Sequence, residues 1–160
     1  MVTAKQGFPE RGHDHADCLT QVLSNAETVC QQRGVRLTPQ RRRVLEIVAG
    51  SHSPLGAYDI LEQMDFTGRR SAPITVYRAL DFLIEQGLVH RLASLNAFAA
   101  CMHSDSEHAA QFLICRDCRT VAELKSRRVS RTIQQDAEHA GFQADQQVVE
   151  VTGTCRDCGA

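Results

Sequence analysis

The stretch "RSAPITVYRALDFLIEQGLVHRLASLNAFAAC", Arg70 to Cys101, changes periodicity at its middle, and that change decides the fold. Up to Gly87 the apolar residues Val76, Ala79, Leu80, Leu83 and Ile84 recur at helical spacing, which predicts a helix with one buried face. Tyr77, Arg78, Asp81 and Glu85 lie on the other face. Beyond Gly87 the pattern alternates around a polar turn at Ser94 to Asn96, as expected of two short strands. Helices followed by such a hairpin describe a winged helix-turn-helix, whose last helix enters the major groove of DNA.

Upstream, "DCLTQVLSNAETVCQQRGV" carries a stripe of Leu19, Val22, Leu23, Ala26, Val29 and Cys30 that ends at Gly34. Cys30 sits on the stripe and reads as core packing. In "LTPQRRRVLEIVAG", Thr38 is placed to cap and Pro39 to open a second helix, with Val44, Leu45 and Val48 inward and Gly50 at its end. "GAYDILEQM" gives a short third helix. Downstream, the polar "MHSDSEH" reads as a linker. "AQFLIC" and "TVAEL" follow as strands, "KSRRVSRTIQQDAEHAG" as an amphipathic helix and "FQADQQVVEVTGTC" as a further strand. The expected fold class is α+β. A DNA-binding domain spans 1–95 with a disordered tail over about 1–15, a hinge spans 96–104, and a small α/β domain spans 105–160. A unit of under about 60 residues buries little apolar surface, so it is expected to need a metal staple or a second copy of itself.

Composition excludes several classes. The chain has 160 residues, 42% hydrophobic and 23% charged, which suits a folded protein rather than a disordered or fibrous one. Its longest apolar runs, such as "FLIC", fall far short of the roughly 20 residues that cross a bilayer. The N-terminus lacks the apolar segment of a secretory signal, so the expected address is the cytoplasm. Net charge is −1 and uninformative, but Arg33, Arg36, Arg41, Arg42 and Arg43 lie together without an intervening acid, and Arg69, Arg70 and Arg78 follow. Such clusters either hold phosphates or form a solvated helix face.

Of the seven cysteines, four form two C-x-x-C turns, Cys115/Cys118 and Cys155/Cys158, each after strand-like sequence. An odd count and this pairing suit metal chemistry in a reducing compartment better than a disulfide framework. Four thiolates at about 2.3 Å fill a tetrahedral zinc shell and leave no open position, the mark of a structural site. A thioredoxin-like dithiol needs one such pair opening a helix, and here there are two. His108, seven residues before Cys115, then belongs elsewhere. Its candidate partners are His90, Cys101 and Glu123, a set of imidazole, thiolate and carboxylate that suits zinc, although spacing alone does not join the four.

The segments "RLTPQRRRVLEIV", "ITVYRALDFLIEQGLVHRL" and "ICRDC" together resemble the ferric uptake regulator (Fur) family of metal-dependent repressors, from about Leu19 to Cys158. Within that family the chain is most similar to the zinc uptake regulators. The resemblance implies a winged-helix domain joined by a hinge to a dimerisation domain, and a homodimer that binds a double-stranded, inverted-repeat operator. It also implies about two Zn2+ per chain: a structural zinc on Cys115, Cys118, Cys155 and Cys158, and a regulatory zinc on His90, Cys101, His108 and Glu123. His103 is the alternative to His108, whereas His13 and His15 read as part of a solvated tail, or else as a weak extra zinc site apart from these two. Iron-sensing members carry an H-D-H just before the "LIC" strand end, where this chain has Ala110, Gln111 and Phe112. The resemblance therefore implies a repressor of zinc uptake genes rather than an iron-responsive or other metal-responsive one. Thr75, Tyr77 and Arg78 are the expected base and backbone contacts, with Arg41 and Arg42 as phosphate contacts. The readings from other classes are a thiol oxidoreductase, which predicts low-pKa free thiols, and a zinc buffer, which has no use for Arg78 or the wing.

Overall fold

The computed structural model describes Phe8 and residues 15–65, 72–104 and 109–159. Expectations that rest on His13, Arg69, Arg70, His108 and most of the 1–15 tail fall outside those residues. The chain forms two compact units, one over Pro9–Glu107 and one built on His108–Ala160.

The first unit is four helices and a hairpin: α1 (His15–Gln32), α2 (Pro39–Ala49), α3 (Ala57–Asp65), α4 (Pro73–Glu85), β1 (Val89–Leu92) and β2 (Ala97–Ala100). Thr38 caps α2 by accepting the Arg41 N–H, and Pro39 opens the helix where its missing N–H is no loss. Val44, Leu45 and Val48 then point into a core shared with Val22, Ala26 and Cys30 of α1, Ile60 of α3 and Val76, Leu80 and Leu83 of α4. Arg33 links the end of α1 to the end of α4 by donating to the Gln86 carbonyl at 3.0 Å and to its side-chain oxygen at 3.2 Å.

Helix α4 ends as its sequence dictates. Gly87 takes φ +68°, the left-handed region open to glycine, which lets its N–H reach Ile84 O and the Leu88 N–H reach Leu83 O. The chain reverses there and enters β1. β1 and β2 pair antiparallel with His90 opposite Ala99 and Leu92 opposite Ala97, turning through a short 3₁₀ segment, Ala93–Leu95, and Asn96 at φ +46°. A bridge between Leu55 and Phe98 adds a third, minimal strand that periodicity does not signal. The expected boundary at 95/96 falls inside this hairpin. Because β2 is held by ladder bonds, and Cys101 N–H still donates to Leu88 O at 2.9 Å, the wing continues through Cys101.

The second unit has β3 (Ala110–Cys115), β4 (Val121–Leu124), α5 (Arg127–His139) and β5 (Val148–Gly153). β3 is central, antiparallel to β4 and parallel to β5, and α5 supplies the crossover that a parallel pair requires. The strand expected over the whole of "FQADQQVVEVTGTC" is confined to Val148–Gly153. The residues before it are drawn into a loop whose Gln147 amide donates to Ser130 O on α5 at 3.2 Å. Its core is small: Ala110, Phe112, Ile114 and Ala122 are buried, whereas no residue of α5 is.

Candidate metal centres and nucleic-acid interface

The two C-x-x-C turns meet because β3 and β5 run parallel. Their register sets Cys115 opposite Gly153, so the turn after each strand starts from the same end of the sheet. Cys115 N–H donates to Thr120 O, and Arg119 takes φ +60° while donating to Cys115 O at 2.9 Å, which folds the first turn back on itself. In the second turn the N–H groups of Cys158 and Gly159 both reach Cys155 O, at 3.1 and 3.0 Å. The four sulfurs then lie within 4.8 Å of one another, with Cys118 Sγ and Cys155 Sγ 3.7 Å apart. Sulfurs at about 2.3 Å from a tetrahedral centre stand about 3.8 Å apart, so the donor set fits zinc with small adjustments.

Backbone donors prepare part of the cluster for that charge. The Cys118 N–H first, and then the Cys155 N–H, which lies 3.3 Å from Cys115 Sγ, bring the Cys115 thiol down to about 6. The side chain of Thr120, 3.3 Å from Cys118 Sγ, draws the Cys118 thiol downward. Cys158 is opposite in sense: the neighbouring Cys155 thiol first, and then burial, push it up to about 12. Two thiols favour the thiolate and one resists it, as expected where negative charge accumulates around an ion.

His90 and Cys101 come together through strand register. Since His90 pairs with Ala99, Cys101 is its diagonal neighbour on the same face of the hairpin, and the two ligand atoms lie within 4.8 Å. Cys101 is buried and His90 half-buried. Glu123 lies in β4 opposite Phe112. His103 follows in a turn and belongs to no such cluster among the described residues. Ala110, Gln111 and Phe112 are all buried, and Gln111 spends its amide on Ser126 O and Ser130 Oγ, at 3.0 and 2.8 Å. Gln111 thus ties β3 to α5, while Ala110 and Phe112, its neighbours along the strand, are buried on the opposite face of the sheet.

On α4, Tyr77 and Arg78 are exposed and Thr75 half-exposed, opposite the buried Val76, Ala79 and Leu80. Arg41 and Arg42 have partners within the unit. The Arg41 guanidinium lies 3.6 Å above the Phe82 ring and donates to Arg36 O at 2.6 Å, while Arg42 pairs with Glu27 and Glu46. Any phosphate would compete with those contacts.

One cluster has no counterpart in the sequence pattern. His15, expected in the tail, is the first residue of α1, and its ring lies 4.3 Å from that of His52. Cys18 joins them, with ligand atoms of all three within 4.8 Å. The i, i+3 spacing of His15 and Cys18 is visible in the sequence, but nothing there brings His52 to them.

The sequence pattern of the ferric uptake regulator family matches residues 32–152. The zinc uptake regulation protein of Escherichia coli (strain K12) is 37% identical over 139 residues, covering 86% of this chain and 81% of its own length. Among solved structures, a zinc uptake regulator complexed with zinc and DNA matches with a TM-score of 0.83 at 37% identity, covering 88% of this chain and 95% of that one. Holo XcZur matches with a TM-score of 0.78 at 43% identity, covering 86% and 96%.

Proposed function

Since the chain belongs to the ferric uptake regulator family, we propose that it is a zinc-responsive transcriptional repressor, which binds an inverted-repeat operator as a homodimer and controls zinc uptake genes. It is not an enzyme, and its setting is the cytoplasm. The observation that carries this reading is the pairing of His90 with Cys101 in the hairpin directly behind α4, since it builds two metal ligands into the unit that reads DNA. Among the described residues no helix is long and apolar enough to cross a membrane.

Cys115, Cys118, Cys155 and Cys158 hold the structural zinc. Its shell is closed, so it offers no position for substrate. At neutral pH the proton on Cys158 leaves only when the cation arrives, so loading releases protons. His90, Cys101, His108 and Glu123 hold the regulatory zinc, as the family's ligand pattern assigns them. The buried Ala110 and Phe112 support zinc over iron, because the two places where iron sensors put imidazoles carry apolar side chains here. Joining wing and C-terminal unit through one ion fixes the separation of two recognition helices in a dimer, which must match half-sites about 34–36 Å apart or a multiple of that. The exposed Val129, Ile133, Phe142, Val148 and Val151 supply apolar surface that a second copy would cover.

Titrating labelled inverted-repeat DNA with protein under buffered zinc, iron and manganese tests the function. Zinc-selective binding is expected, and equal binding with all three or with none would overturn it. Thr75, Tyr77 and Arg78 are the proposed DNA contacts. Arg78→Ala is expected to weaken operator binding by about 1–3 kcal/mol and to relax base preference at one position of each half-site. A uniform loss on all sequences with a smaller salt slope would make Arg78 a phosphate contact instead.

A further inference from the structure

The winged unit carries metal-ligating side chains apart from the hinge set. His15 and Cys18 stand one turn apart on a single face of α1. His52 lies in the segment between the α2 cap, Gly50, and α3. A nitrogen from each histidine and Cys18 Sγ lie within 4.8 Å of one another, and the two rings are 4.3 Å apart and tilted by 48°. All three side chains are half-buried, both ring nitrogens of His15 are screened from solvent, and Cys18 is a free thiol.

We propose that His15, Cys18 and His52 form an additional zinc site within the winged unit, independent of both other sites. Two imidazoles and one thiolate are the donors that select zinc over magnesium, calcium or manganese. Ligands at about 2.0–2.3 Å from a tetrahedral ion stand about 3.3–3.8 Å apart, so the three need only small rotations to close on it. A water takes the fourth position, since three protein ligands leave one open. With one thiolate instead of four and only partial burial, the site is weaker than the four-cysteine cluster and fills at higher zinc. Filling it fastens the first turn of α1 to the segment that leads into α3, two elements far apart in sequence. The chain then responds to zinc in the wing as well as at the hinge.

Alkylation of the full-length protein by iodoacetamide, with each cysteine followed by peptide mass mapping, tests this directly. At free zinc about 100 times the dissociation constant, modification of Cys18 should slow about 100-fold relative to metal-free protein. His52→Ala and His15→Gln should each abolish that protection and lower bound zinc by one equivalent per chain, with the melting temperature of the zinc-free protein unchanged. Cys115 and Cys118 in the same map report the four-cysteine cluster separately. Cys18 that reacts equally with and without zinc, or stays protected in both histidine variants, would overturn the proposal.

Discussion

Cys155→Ser is expected to unfold the C-terminal unit and, with it, the dimer. Cys155 is buried, stands 3.7 Å from Cys118 Sγ, and donates its N–H to Cys115 Sγ, so it ties the chain after β5 to the turn after β3. Serine offers a protonated hydroxyl in place of a thiolate and does not complete the shell. A structural zinc contributes about 10–16 kcal/mol, against about 5–15 kcal/mol for the whole stability of an ordinary domain. The unit has little else to set against that loss, with Ala110, Phe112, Ile114 and Ala122 the buried apolar strand residues besides the ligand Cys115, and an α5 that buries none of its own. Far-UV circular dichroism should show less helix, sedimentation should show monomer, and metal analysis should show zinc lost. The winged unit should keep its own thermal transition, because Leu45, Ile60, Leu80 and Leu83 form a separate core. A Cys155→Ser chain that stays dimeric and fully structured would sink the structural role.

Elements with strong local signals are legible in the sequence itself. Thr38 and Pro39 at α2, the apolar stripe of α4 and the Gly87 stop all act within a few residues, and each appears where its local chemistry places it. The four cysteines are legible for a different reason: two identical turns 36 residues apart imply one shared centre, whatever the path between them. What escapes the sequence depends on tertiary approach. Arg41 and Arg42 read as phosphate contacts, and their partners within the unit, Phe82, Glu27 and Glu46, reach them only once α1, α2 and α4 pack. The strand beyond Phe142 reads too long, because a loop fastened to α5 through Gln147 looks extended in sequence. His52 is invisible as a ligand until the fold carries it to α1. Even the His90 and Cys101 pair, which spacing does not join, follows at once from a hairpin register that puts diagonal neighbours on one face.

The same register makes Cys101→Ser the sharpest test of the switch. Serine keeps the size of the side chain and leaves the bond from the residue 101 N–H to Leu88 O intact, so the wing should fold unchanged. It removes the one soft donor from the regulatory set, and a neutral hydroxyl is a poor zinc ligand. Moving the binding-competent fraction from about 1% to about 99% takes about 5.5 kcal/mol of differential zinc affinity. If zinc supplies that in the wild type, the variant at the same zinc level stays near the lower fraction, and its apparent operator affinity falls about 100-fold. Without zinc the two proteins should bind equally weakly, which separates lost switching from a damaged interface. Arg78→Ala should instead weaken binding at every zinc level, since it acts on the DNA contact and not on the population. Fluorescence anisotropy across a buffered zinc series distinguishes the two patterns. A Cys101→Ser protein that switches at the wild-type zinc level would remove Cys101 from the regulatory site and leave the wing without its thiolate link to the metal.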